Sequence, residues 1–178
     1  MQPNSIVKFW ENAGPEAWFE KNHEFDAEVN LRFHDLPDCA MAGQLDHWTR
    51  GAEGSLALIL ILDQFPRNLH RNSAKAYLYD ERAREIAKKA IAANQDQAYE
   101  LPMRPFFYLP FMHSENLGDQ EFCISLYEKA NDPRGLEYAE LHADIIRKFG
   151  RFPHRNEILN RISSTQELEF LQSGGFHG

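Results

Sequence analysis

Between Ser55 and Phe65 the chain runs Leu56, Ala57, Leu58, Ile59, Leu60, Ile61, Leu62, a stretch that leaves no polar face. Such a segment must be covered on every side, as a buried helix or a buried strand. A strand needs a partner, and no other segment offers one. The run therefore reads as a buried helix in an all-α fold.

Apolar spacing elsewhere agrees. Tyr138, Leu141, His142, Ile145, Ile146 and Phe149 follow the i, i+3, i+4, i+7, i+8, i+11 series, one stripe on a helix from near Pro133 to Gly150. Ala74, Tyr77, Leu78, Ile86, Ala87, Ala90 and Ile91 predict a second long helix, capped by Ser73, with Asp80 and Glu81 in its middle. Further helices are predicted over 5–13, 15–21, 24–35, 104–112, 118–130 and 165–172, the last opened by a Ser164–Glu167 capping box. Pro37 should break or kink the third of these. About ten helices suit a compact helical array rather than a four-helix bundle. The reading is one domain over 1–173 and a flexible tail over 174–178.

The formal charge is −8, from 27 acids against 19 bases. That field repels polyanions, so no nucleic-acid partner is expected. Cys39 and Cys123 make no C-x-x-C pair and read as buried thiols of a reducing cytosol. The first ten residues show no basic-then-apolar leader, and the longest apolar run falls far short of the ~20 residues that span a membrane. The expectation is a cytoplasmic protein with no membrane partner.

Two Phe-Pro turns carry the candidate chemistry. Phe65-Pro66 follows one apolar helix and Phe152-Pro153 another. In each, Pro should stop the helix and Phe should anchor the turn. Polar groups follow: Arg67, Asn68 and Arg71 in the first, and Arg151, His154, Arg155 and Asn156 around the second. Fixed guanidiniums near helix ends suit a phosphate or carboxylate. The same arginines could equally tie helices together by pairing with Asp63, Asp119 or Asp144.

His142 lies inside an apolar stripe. It is either a core histidine bonded to a backbone carbonyl or a general base. Asp144, two residues on, points to another face. His113 and Glu115 precede the helix that begins near Gly118. His113, His142 and His154 are the candidate proton carriers. Arg67, Asn68, Arg71, Glu115, Asp144, Arg151, Arg155 and Asn156 are the candidate ligand contacts. A shared site requires the two turns to face one cavity. No metal-ligand spacing, nucleotide loop or nucleophile elbow occurs, so no metal is assigned and the cofactor is left open. His23, His34, His47, His70 and His177 show no grouping. An alternative is a protein-interaction module presenting Phe9, Trp10, Trp18 and Phe19.

Three blocks match a known pattern: Leu62-Asp63-Gln64-Phe65-Pro66-Arg67-Asn68, Tyr108-Leu109-Pro110-Phe111-Met112-His113-Ser114-Glu115, and Phe149-Gly150-Arg151-Phe152-Pro153-His154-Arg155-Asn156. With Phe9-Trp10, Trp18-Phe19 and Phe25-Asp26, they resemble the bacterial family catalogued as domain of unknown function 924. The resemblance covers nearly the whole chain. It implies a TPR-like α-α superhelix and brings no activity, substrate or cofactor. The family block usually reads His-Arg-Asp where this chain has His142-Ala143-Asp144. TPR-like arrays often bind peptides, so the resemblance also admits a peptide or protein partner.

Overall fold

In the computed structural model, which describes residues Met1–Phe176, the apolar run is helical and covered on all sides, with each residue from Leu56 to Leu62 0% exposed. No strand occurs among the described residues. The contacts divide the chain into two compact units. One is Met1–Arg71 with Lys75–Pro110; the other is Asn72–Ala74 with the chain from Phe111 onward.

The first unit holds α1 (Pro3–Phe19), α2 (His23–Phe33), α3 (Leu36–Met41), α4 (Ala52–Ile59), α5 (Phe65–Leu69) and α6 (Asp80–Ala92). The buried α4 packs against α1 and α6, and α2 packs against α5. Aromatic rings fill the space between them. Trp10, fully buried, meets Trp18, Phe25, Phe65 and Phe106 at centroid distances of 5.6–6.3 Å. Each buried ring removes a large apolar surface from water, and edge or offset contacts add to it.

Three expectations change here. The helices predicted over 5–13 and 15–21 run together as α1, bent at Gly14, where φ is +74°. Pro15 then fits the first turn of the renewed helix, where its missing N–H costs nothing. The break expected at Pro37 is present: α2 ends at Phe33, four residues before it, and Pro37 takes the first turn of a new helix, α3. The helix predicted over 74–91 is divided. Ala74–Tyr77 is a 3₁₀ turn, and α6 begins at Asp80 with Tyr79, not Ser73, at its N-cap position. Asp80 and Glu81 thereby stand in the first turn, where acids oppose the positive end of the helix. Finally, Pro66 does not stop its helix. The chain passes from α4 through a π-turn, Leu60–Gln64, directly into α5. Pro66 lacks a donor, and its ring would press on the carbonyl four residues back. Widening the turn, so that the Phe65 N–H reaches Leu60 O, relieves both problems.

In the second unit, reached through the four-residue helix α7 (Leu109–Met112), α8 (Leu117–Ala130) and α9 (Pro133–Phe149) pair as a helical hairpin across Asn131 and Asp132. Asn131, at φ +50°, supplies the left-handed turn. α9 buries Ala139, His142, Ala143, Ile145 and Ile146. Tyr138 and Leu141, assigned to that stripe from their spacing, are 47% and 44% exposed. The buried arc centres on the two alanines, whose small side chains admit close helix packing. α9 stops at Gly150, φ +70°, and α10 (Thr165–Gln172) opens with the predicted capping box, Ser164 to Glu167. His177 and Gly178, the end of the expected tail, lie outside the described residues.

α4 can reach its buried place only because position 54 lacks a side chain. A Cβ there would overlap the Trp48 carbonyl, a backbone atom that cannot turn away. Gly54→Ala should therefore cost about 2–4 kcal/mol in urea unfolding, at or above the usual cost of overpacking. Gly51→Ala, where nothing lies within 4 Å of the added carbon, is the control and should stay within roughly 0.5 kcal/mol.

Candidate functional site

Arg67, Asn68 and Arg71 belong to the first unit, on and just after α5. Arg67 grips Asp80 with both terminal nitrogens, at 2.9 and 3.1 Å, and also donates to the Asp63 backbone carbonyl. The Asp63 carboxylate is fully buried, 3.4 Å from Arg67 and bonded by Gln64. Burial alone would lower the Arg67 pKa; the charges of Asp63 and Asp80 outweigh it and raise it. Asn68 and Arg71 close on Asp26 of α2, Asn68 at 2.9 Å and Arg71 through two bonds of 2.6 and 2.8 Å. Burial would raise the Asp26 carboxyl, but those bonds hold it below its ordinary range. In this unit each guanidinium of the motif meets a carboxylate in a two-point grip, the geometry that makes such pairs strong.

The other candidates lie in the second unit and form two adjoining arrangements. One is an ion-pair frame. Glu115 accepts Arg161 through both oxygens, at 2.6 and 3.0 Å, and the Phe152 N–H at 2.8 Å. Burial raises its pKa; Arg161 and the Phe152 amide lower it more, and the net shift is downward. Arg161 also reaches Phe152 O and Asn156 Oδ1, while Asn156 donates to Ser163. Arg151 holds Glu167 at 2.7 and 2.8 Å, and Glu167 in turn accepts the Ser164 N–H of the α10 cap. Glu167 is held far below the usual carboxylate range, first by Arg151.

The second arrangement gathers the bases around the Phe152 ring. The Arg155 guanidinium lies over its face at 4.5 Å and donates to His113 O at 3.0 Å. The His142 and His154 rings lie 5.7 and 5.6 Å from it. His142 Nδ1 is 2.7 Å from Tyr138 O. A carbonyl can only accept, so the proton is on Nδ1 and Nε2 carries the lone pair. Burial first, then the charges of His113 and Arg155, push the His142 pKa down to about 4 against the pull of that carbonyl. His142 is therefore neutral at pH 7.

Of the sequence candidates, His113, His142, His154 and Arg155 come together; Glu115, Arg151 and Asn156 build the frame beside them. Asp144 stands apart, 72% exposed and paired with Arg147 at 2.8 Å. Arg161, Asp26, Glu167 and Phe176 take part without having been named as site residues; Glu167 was read only as part of the α10 cap and Asp26 only as part of the family pattern. Their partners are far off in sequence, 46 positions for Arg161 to Glu115 and 45 for Arg71 to Asp26, and no local spacing signals such a pair. Of the aromatics considered for an interaction surface, Trp10 and Trp18 are buried and Phe19 is 69% exposed. An open cleft of about 600 Å³ between α1 and α2 is lined in part by Phe9, the remaining aromatic of that group, and by none of the candidate proton carriers or ligand contacts. Its Arg32 is engaged by Glu28 and lies over Phe9. Among the described residues no cluster of His, Cys, Asp or Glu has the makings of a metal site, and no helix is long and apolar enough to cross a membrane.

A family model described as a bacterial protein of unknown function (DUF924) matches residues 6–175. A solved structure of a protein of unknown function from Agrobacterium tumefaciens is similar over 97% of each chain, with a TM-score of 0.93 and 45% sequence identity. No curated protein matches.

The His142 pKa of about 4 lies below the ordinary 6.5. Between those values the unfolded chain binds a proton that the folded chain refuses, so stability is full above pH 6.5 and falls as the pH drops toward 4. The loss should be on the order of 3 kcal/mol. Urea unfolding at pH 7, 6, 5 and 4 measures it. His142→Gln should remove most of that slope; an unchanged slope would place its source elsewhere.

Proposed function

The chain belongs to this bacterial family of unknown function, and on that footing we propose that it binds a small phosphate- or carboxylate-bearing ligand at the bases around the Phe152 ring. The observation that carries the reading is the grouping of Arg155, His154 and a neutral, buried His142 about the Phe152 ring, with His113 near enough to act on His142. Three features support it. Glu115, the acid beside them, is met chiefly by Arg161 and the Phe152 amide. Arg155 is only 7% exposed, fixed by the ring and by His113 O, so its charge is pre-positioned. And His142 keeps its Nε2 lone pair, so an arriving anion would raise its pKa from about 4 by opposite charge. Such a rise moves the imidazole toward the range in which a general base works, and binding would then take up a proton. A hydrolytic role for His142, His113 or His154 would draw on that same step.

Thermal melts in rising inorganic phosphate test the reading. A ligand that binds only the folded chain stabilises it by about 2.7 kcal/mol at a hundred times Kd, a shift of several degrees for a chain of this size. The wild-type midpoint should rise with phosphate. Arg155→Met should lose that rise, and Arg155→Lys should keep part of it. Both variants also lose the geometry at His113 O, so each is compared with its own phosphate-free midpoint. A full rise in Arg155→Met, or none in the wild type, overturns the proposal.

A further inference from the structure

The bases around Phe152 are covered by a side chain from the end of the same chain. After α10 the backbone turns at Gly174, φ +83°. Gly175 then passes so close to Phe170 that an added Cβ would strike both its carbonyl and its ring. The Gly175 N–H donates to that carbonyl at 3.0 Å. The next residue, Phe176, sets its ring edge-on to two imidazoles. Its centroid is 4.6 Å from His142 at 66° between planes, and 5.5 Å from His154 at 75°. It also packs against the cluster of Ile145, Ile146 and Phe152, yet it stays half-buried.

This contact is built differently from core packing. The ring hangs on two consecutive glycines, which gain more conformational freedom on release than any other residues. Being half-buried, it is held by only part of the transfer energy of a fully buried phenylalanine. The groups it covers are the ones this chain would need for an anion: the His142 imidazole and the His154 imidazole, with Arg155 on the adjoining face of Phe152. The neighbours of the Phe176 ring are thus flat rings, with a guanidinium close by on Phe152. With Phe176 withdrawn, such neighbours suit a planar ring carrying a negative group, because edge-to-face contacts hold the ring while the bases meet the charge.

We infer that Phe176 occupies, in cis, the place of an aromatic ring of the ligand. The ligand is then an aryl anion, a benzene-type ring bearing a phosphate or carboxylate, and it binds when the Gly174–Phe176 segment moves aside. The inference rests on the anion-binding reading above and adds to it the class of ligand and the residue that competes for its site. The closed segment acts as a tax on affinity: the apparent Kd is the intrinsic one divided by the open fraction.

Phenyl phosphate, cyclohexyl phosphate and inorganic phosphate, each titrated by calorimetry into the wild type, Phe176→Ala and a chain ending at Ser173, separate the outcomes. Phe176→Ala and the shortened chain should bind phenyl phosphate about fivefold or more tightly than the wild type. Inorganic phosphate, which needs only the bases, should change by less than about twofold. Cyclohexyl phosphate, equally apolar and not planar, should gain less than phenyl phosphate. Circular dichroism shows whether each variant is folded. Phe176→Leu, which keeps an apolar cover without the ring, should fall between wild type and Phe176→Ala. If inorganic phosphate binds but removing Phe176 leaves phenyl phosphate no tighter, the ring is a wall and not a stand-in, and the anion reading survives alone. Equal gains for cyclohexyl and phenyl phosphate overturn the aromatic class. If none of the three binds any form, both readings fall.

Discussion

A charge taken out of water must bring its compensation with it, and that requirement shapes both units of this protein. An ionised group buried without a partner costs several kcal/mol even after the surroundings relax. The fully buried Asp63 is met by Gln64 and Arg67, and Arg67 by Asp80. Asp26 gathers Asn68 and Arg71; Glu115 gathers Arg161 and a backbone amide; Glu167 gathers Arg151 and the α10 cap. These networks tie together parts of the chain far apart in sequence. Their polar residues stand beside Phe65 and Phe152, both 0% exposed, so apolar anchor and charged frame come as one block of sequence.

That coupling explains what could be read from the sequence. α4 was legible because a run with no polar face has only one place to go. The end of α9 at Gly150 and the start of α10 at Ser164 were legible because a left-handed glycine and a capping box act within a few residues. The π-turn before Pro66 was not. Proline signals that a hydrogen bond is lost, and whether the helix ends or widens depends on what packs around it. Asp80 was placed mid-helix for the same reason: the apolar period runs on through Leu78, but Arg67, thirteen residues earlier, holds Asp80 where α6 begins. Tyr138 and Leu141 kept the right spacing on a face that α8 does not cover.

The candidate residues follow the same division. Their chemical type was visible, since arginines and histidines stand out after a Phe-Pro turn. Their partners were not, because pairing across 45 or 46 positions leaves no local trace. The arginines of the first unit are matched by carboxylates, the arrangement expected of a structural tie. Around Phe152, Arg155 and two imidazoles share one aromatic ring, with Glu115 of the adjoining frame feeling the Arg155 charge.

His142 resolves its own burial in another way. Burial is the first force on it, with His113 and Arg155 adding to the same side, so it stays neutral. It donates its Nδ1 proton to Tyr138 O and keeps a lone pair on Nε2, and its ring meets that of Phe176 edge to face. An imidazole kept neutral chiefly by burial, and further by its neighbours, is favoured in its protonated form by whatever brings negative charge beside it. Proton uptake and the affinity proposed for an anion are therefore linked: each unit by which a ligand raises that pKa is a factor of ten in the ligand's preference for the protonated site.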